Sequence, residues 1–109
     1  MEFVRQELLQ GTLDLLILKT LAAGALHGYA IAQRILITSR ETLDVQQGSL
    51  YPALHRLERK KLVEAEWRES DNGRMAKFYA LTKAGKQQLT TELDRWRVYA
   101  EAIGWVLEA

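Results

Sequence analysis

Gln47-Gly48-Ser49-Leu50-Tyr51-Pro52-Ala53-Leu54-His55-Arg56-Leu57-Glu58-Arg59-Lys60-Lys61-Leu62 is the stretch that decides the fold. At about 100° per residue, Leu50, Leu54, Leu57 and Lys61 gather on one side of a helix, with Ala53 at the margin. Pro52, His55, Arg56 and Arg59 lie opposite. The helix is expected to begin near Gly48 or Ser49, where Ser49 can cap free backbone N–H groups. Pro52 is then tolerated because it falls in the first turn. Leu62 to Arg68 follows at once, alternating apolar and charged with period two, which predicts a half-buried strand. Ser70-Asp71-Asn72-Gly73 is turn chemistry, and Met75 to Leu81 has the aromatic content of a returning strand. A helix feeding a two-stranded wing with a basic tip suits DNA, with the helix in the major groove and the wing beside it.

Outward from this core, residues 5–23 carry Leu8, Leu9, Leu13, Leu15, Leu16, Ile17, Leu18 and Leu21. This is too dense for one narrow stripe and predicts a helix covered by more than one neighbour. Gly24 ends it. His27-Gly28-Tyr29 opens a second helix, with Ile31, Ile35 and Leu36 inward, ending near Thr38-Ser39-Arg40. After the wing, Thr82 caps a last helix running from Lys83 to about Leu107. The expected order is α-α-α-β-β-α: an α+β, mostly α chain, a winged helix-turn-helix with a long C-terminal dimerisation helix. The expected division is residues 1–82 for the winged helix and 83–109 for the dimerisation helix.

That last helix holds Leu89, Leu93, Trp96, Ala100, Ile103 and Leu107 at alternating spacings of four and three, with Tyr99 and Val106 beside the stripe. This is the seam of a coiled-coil-like contact. About 25 helical residues span roughly 37 Å, more than a compact winged-helix core covers. A second copy is the expected partner of the far half, with the leucine-rich first helix, including Leu8 and Leu9, contributing. Twofold pairing presents two recognition helices to a palindromic site, with half-sites roughly 34 Å apart or a multiple of that. Trp96, Tyr99 and Trp105 read first as anchors of that interface. Trp96 and Tyr99 can also line a slot for a small planar apolar ligand, whose binding would alter the spacing of the two heads.

Composition sets the bounds. At 109 residues, 48% apolar and 27% charged, the chain is an ordinary globular domain. It has no cysteine, which excludes disulfides and thiolate metal sites. His27 and His55 have no companions at triad or metal-ligand spacing, and Gly11-Thr12 and Gly28 are isolated glycines and form no phosphate loop. Neither enzyme chemistry, a cofactor nor a metal is therefore expected. Glu2, Arg5 and Glu7 interrupt any signal peptide, and Lys19 and His27 break the most hydrophobic region. The expectation is a cytoplasmic chain with no membrane partner. The formal charge of +1 hides an asymmetry. Of 15 Lys/Arg and 14 Asp/Glu, nine and five lie between Gly48 and Lys86, giving +4 there; six and nine lie elsewhere, giving −3. Double-stranded DNA is the partner this favours, contacted by Ser49, Tyr51, His55, Arg56, Arg59 and Lys60 of the helix and Asn72, Arg74 and Lys77 of the wing.

Four motifs in order carry a family resemblance: Gly11-Thr12-Leu13-Asp14-Leu15-Leu16-Ile17-Leu18; His27-Gly28-Tyr29-Ala30-Ile31; Gly48-Ser49-Leu50-Tyr51-Pro52-Ala53-Leu54-His55-Arg56-Leu57-Glu58; and Glu66-Trp67, Asn72-Gly73-Arg74 and Tyr79-Ala80-Leu81-Thr82-Lys83-Ala84-Gly85. The chain resembles the PadR family of bacterial transcription regulators over nearly its whole length, in the compact form with a single C-terminal helix. The resemblance implies a homodimeric winged-helix repressor of a partly palindromic operator. Ser49, Tyr51 and Arg56 fall on its recognition helix, and Asn72 and Arg74 on its wing. Some members release DNA on binding phenolic or drug-like molecules, in certain cases beside an aromatic of the last helix, and Trp96 occupies that position. Two alternatives of other classes stand beside this: a winged-helix protein-interaction module, against which Arg56, Arg59 and Arg74 speak, and a small-molecule-binding helical protein without a basic wing.

Overall fold

The computed structural model describes residues 2–109, with side chains from Thr12 onward. Four helices and a small sheet follow in the order α1 (Glu2–Leu21), β1 (Leu26–His27), α2 (Gly28–Thr38), α3 (Gln47–Arg59), β2 (Val63–Glu69), β3 (Met75–Leu81) and α4 (Lys83–Glu108). The sheet is antiparallel, ordered β1-β3-β2. Leu26 pairs with Tyr79 and His27 with Phe78, while β2 and β3 pair from Val63–Leu81 at the core to Glu69–Met75 at the tip. This is the mostly helical winged helix expected from the sequence. The addition is β1, whose two residues are too few to leave a periodic signal.

One apolar core joins all the elements. Leu13, Ile17, Leu18 and Leu21 of α1 meet Ile31 and Ile35 of α2, Leu50, Ala53, Leu54 and Leu57 of α3, Val63 and Tyr79 of the sheet, and Leu89 of α4. Burying each such aliphatic contributes about 1.5–3 kcal/mol relative to leaving it in water. The side chains of Leu8 and Leu9, assigned to an interface from sequence, lie outside the described residues.

Three local expectations need correction. Helix α3 starts at Gln47, capped by the backbone of Gln46, whose carbonyl accepts from the N–H groups of Ser49 and Leu50 at 3.0 and 2.9 Å. Ser49 is thus inside the helix and is not its cap. Pro52 consequently falls in the second turn, where it denies the Gly48 carbonyl its N–H donor. Lys61 is not on the helix face. It sits past the end at φ 62°, while Leu62 N–H returns to the Leu57 carbonyl at 3.0 Å, the wrap-around that normally favours glycine at the left-handed position.

Other caps follow the sequence. His27 Nδ1 accepts from Ala30 N–H at 3.2 Å, and Thr82 Oγ1 accepts from Gly85 N–H at 3.0 Å. Thr82 also donates its hydroxyl to the Lys61 carbonyl (2.7 Å) and its N–H to the Leu62 carbonyl (3.1 Å). The start of α4 is thereby tied to the turn between α3 and β2. Leu89 then enters the core and Leu93 packs at its edge, so the first turns of α4 belong to the winged-helix body. Leu89, expected at a dimer interface, is instead held by the chain's own core. Beyond it the stripe is uncovered: Trp96 is 40%, Ile103 38% and Leu107 79% exposed, and Tyr99 and Ala100 are exposed too.

Candidate nucleic-acid interface

The outer side of α3 and the wing enclose an open cleft of about 520 Å³. From α3, Tyr51 and His55 reach it; from the hairpin come Asn72, Arg74 and Lys77. Five residues singled out from sequence are therefore brought together from stretches up to 26 residues apart.

The wing turn is preorganised. Gly73 takes φ 80°, Ser70 N–H bonds the Arg74 carbonyl at 2.7 Å, and Gly73 N–H bonds the Ser70 carbonyl at 2.9 Å. Asn72 Oδ1 accepts from the Ser70 hydroxyl (2.6 Å) and the Arg74 N–H (3.2 Å). The Asn72 carbonyl oxygen is thus spent on closing the turn. Arg74 forms no ion pair among the described residues, so its guanidinium is available to an anion. Lys77 is partly engaged. Its ammonium lies 3.4 Å from Glu58 and 5.6 Å from the Tyr79 ring centre. Burial raises the Tyr79 phenol above its ordinary range, against the lowering pull of Lys77.

Other candidates are placed differently. Arg56 turns from the cleft to α1, where its guanidinium meets Asp14 at 2.9 Å. Both side chains are about two-fifths exposed, so solvent screens the pair and it contributes at most about 1 kcal/mol. Its effect is on aim: as long as it holds, Arg56 is withheld from the cleft. Lys60 lies on the far side too, lining a groove between α1 and α4. Arg59 is exposed on the last turn of α3, and Ser49 is exposed near its start. The groove encloses about 440 Å³ and is walled by Asp14, Leu15, Lys60, Glu92, Trp96 and Tyr99 among others. Trp96 and Tyr99, ring centres 6.2 Å apart, stand together on that wall.

Sequence reasoning missed His27, Tyr29 and Trp67, which also line the cleft. His27 and Tyr29 were legible only as a helix start, and Trp67 only as an apolar position of a half-buried strand. Tyr51 is aimed by its neighbour: a Cβ on Gly28 would stand 2.7 Å from the Tyr51 hydroxyl oxygen and 2.9 Å from its ring. The ring therefore lies on the bare backbone at the start of α2. Because Tyr51 can swing away, Gly28→Ala is expected to change the melting temperature by only a few degrees while re-aiming Tyr51. Affinity for a cognate duplex should drop about fivefold to tenfold, as for one lost polar contact. Unaltered affinity in a titration with the variant would show that the Gly28 seat does not aim Tyr51 for binding.

None of the described helices is long and apolar enough to cross a membrane, and the described residues contain no cluster of His, Cys, Asp and Glu that could hold a metal. Residues 17–91 match the model of the transcriptional regulator PadR-like family. A transcriptional regulator of Mycobacterium tuberculosis is 37% identical over 87 residues, covering 80% of this chain and 78% of its own. An uncharacterized protein of Lysinibacillus sphaericus is 30% identical over 105 residues, 96% of either chain. The crystal structure of a PadR family transcriptional regulator from Eggerthella lenta superposes with a TM-score of 0.83 at 28% identity, covering 99% of this chain and 92% of that one. With the winged helix, the cleft and a match spanning α1 to α4, the chain belongs to the PadR-like family of transcriptional regulators, not to a family of enzymes.

Proposed function

We propose that this chain binds DNA as a cytoplasmic homodimer and represses transcription from a partly palindromic operator. The observation that carries the reading is the α3–wing cleft, in which Tyr51 and His55 face a preformed turn bearing a free Arg74. Tyr51 and His55 would meet base edges or phosphates in the major groove, and Arg74 the backbone or minor groove beside it. Ser49 and Arg59, both exposed on α3, would add backbone contacts. Arg56 would join only by leaving Asp14. Residues 1–82 together with the first turns of α4 would read DNA, and the uncovered remainder of α4 would pair the two copies through Trp96, Tyr99, Ala100, Ile103 and Leu107.

The test is binding to the promoter segment upstream of the chain's own gene, with salt titrated and stoichiometry recorded. One dimer per palindromic site with steep salt dependence is the expected result. A stable dimer with no more than nonspecific binding to promoter libraries would favour the protein-interaction module. Arg74→Ala should weaken binding to every duplex and reduce the slope of log K against log salt by about one. A loss confined to one sequence at an unaltered slope would assign Arg74 to base reading instead.

A second reading concerns release. The α1–α4 groove walled by Trp96 and Tyr99 has the dimensions of a small planar ligand. Its wall includes Asp14, the partner of Arg56, so an occupant that competes for Asp14 would reach the recognition helix. Screening aromatic compounds for release of bound promoter DNA, with Trp96→Ala as the insensitive control, tests it.

A further inference from the structure

We propose that Trp67 is a DNA contact of the wing, its indole packing on the sugar–phosphate backbone beside the recognition helix. This rests on the DNA-binding reading above and adds a contact that is apolar and carries no charge. In the hairpin register Trp67 stands across from Lys77, and Met75 across from Glu69. These two pairs continue outward the face on which Val63, Leu81, Ala65 and Tyr79 pack inward. The core ends before them, leaving Trp67 64% and Met75 63% exposed. Both nevertheless line the cleft with Tyr51, His55 and Arg74. The largest side chain of the wing therefore stands in solvent on the one face that turns toward α3.

Charge selects the occupant. The opposite face of the hairpin carries Glu64 and Glu66, with Arg68 drawn over the Phe78 ring at 4.3 Å, and repels a polyanion. On the cleft face Lys77, directly across from Trp67, lines the same cleft as the indole, with Arg74 and His55. Glu58 is engaged there by Lys77, and the remaining acids, Glu69 and Asp71, are set at the tip. An apolar plate beside the cations Lys77 and Arg74 matches a ribbon in which apolar deoxyriboses alternate with phosphates. A contact of this kind is blind to sequence, so it acts on any duplex.

The experiment follows binding of the full chain to a labelled random-sequence 30-base-pair duplex at several low salt concentrations. It compares the parent protein with Trp67→Ala, Trp67→Phe and Arg74→Ala. Trp67→Ala should bind about tenfold more weakly, from the apolar area it no longer covers. Its salt slope should equal that of the parent protein, because no cation is lost. Trp67→Phe should recover most of the affinity. Melting curves should coincide, since Trp67 supports nothing in the core. Parent-like binding by Trp67→Ala alongside weakened binding by Arg74→Ala would overturn the inference and leave the DNA reading intact. If the parent protein binds neither this duplex nor its own promoter, the DNA reading falls and the inference with it.

Discussion

Gly85→Ala is expected to be among the most destabilising single substitutions in the chain, although alanine is the better helix former. Gly85 lies in the first turn of α4, and a Cβ there would fall on the carbonyl oxygen of Leu62. That carbonyl is fixed: it accepts the Thr82 N–H, while the Thr82 hydroxyl holds the neighbouring Lys61 carbonyl. The obstruction is backbone, so no rotamer change relieves it, and α4 must lift from the turn that carries Lys61 and Leu62. Helix propensity returns about 1 kcal/mol. Forcing a methyl group into close-packed backbone costs roughly 3 kcal/mol or more here, the upper end for overpacking. The net loss of ~2 kcal/mol corresponds to about 8–16 °C in melting temperature for a domain of this size. Scans at equal protein concentration are needed, because pairing of copies shifts the apparent midpoint. A variant melting with the parent protein would mean that α4 docks less tightly on Leu62 than the geometry indicates.

Gly85 also shows where reading a sequence stops. Thr82 was legible as a cap because the signal is local: an oxygen-bearing side chain preceding a helical run. That Gly85 must be bare depends on how close α4 comes to a turn more than twenty residues earlier. The same division runs through the site. Tyr51, His55, Asn72, Arg74 and Lys77 could be gathered from sequence, because a helix-wing unit has few ways to close and its polar residues mark the outer face. The pull of Asp14 on Arg56 could not be read, since it joins residues 42 apart in sequence. Helical phase alone put Arg56 with His55, but a long side chain at the edge of a face is aimed by its partner as much as by its Cα. Ser49 misled for another reason. Capping preference is a weak prior, and the cap is the backbone of Gln46, three residues earlier. Strand alternation places Trp67 on the apolar face with Val63 and Ala65 without saying how far the core extends beneath that face.

Ile103→Asp is expected to have the largest effect on function. Ile103 lies on the uncovered part of the α4 stripe, between Ala100 and Leu107, 38% exposed within one chain. A carboxylate there meets water in a monomer, so helix content by circular dichroism should be unaltered. In a twofold pair the same carboxylate would be buried against apolar side chains with no cation opposite. The stripe itself carries none, and Arg95 and Arg97 face Glu92 and Asp94 on their own helix. A buried charge without a partner costs several kcal/mol, and twofold symmetry introduces two of them. Dimer dissociation should rise by roughly 10³-fold or more, leaving a monomer at micromolar concentration in sedimentation velocity. Operator affinity should then fall by about 10²–10⁴, because the second head no longer binds at the effective concentration set by the first. The salt slope at the operator should drop by about half, since each head brings half of the phosphate contacts. This outcome separates Ile103→Asp from Trp67→Ala, which weakens each head and leaves the pair and the slope alone. A parent-like dimer in Ile103→Asp would move the pairing surface off this part of α4. A monomeric parent protein that binds its operator at full affinity would remove the twofold requirement altogether.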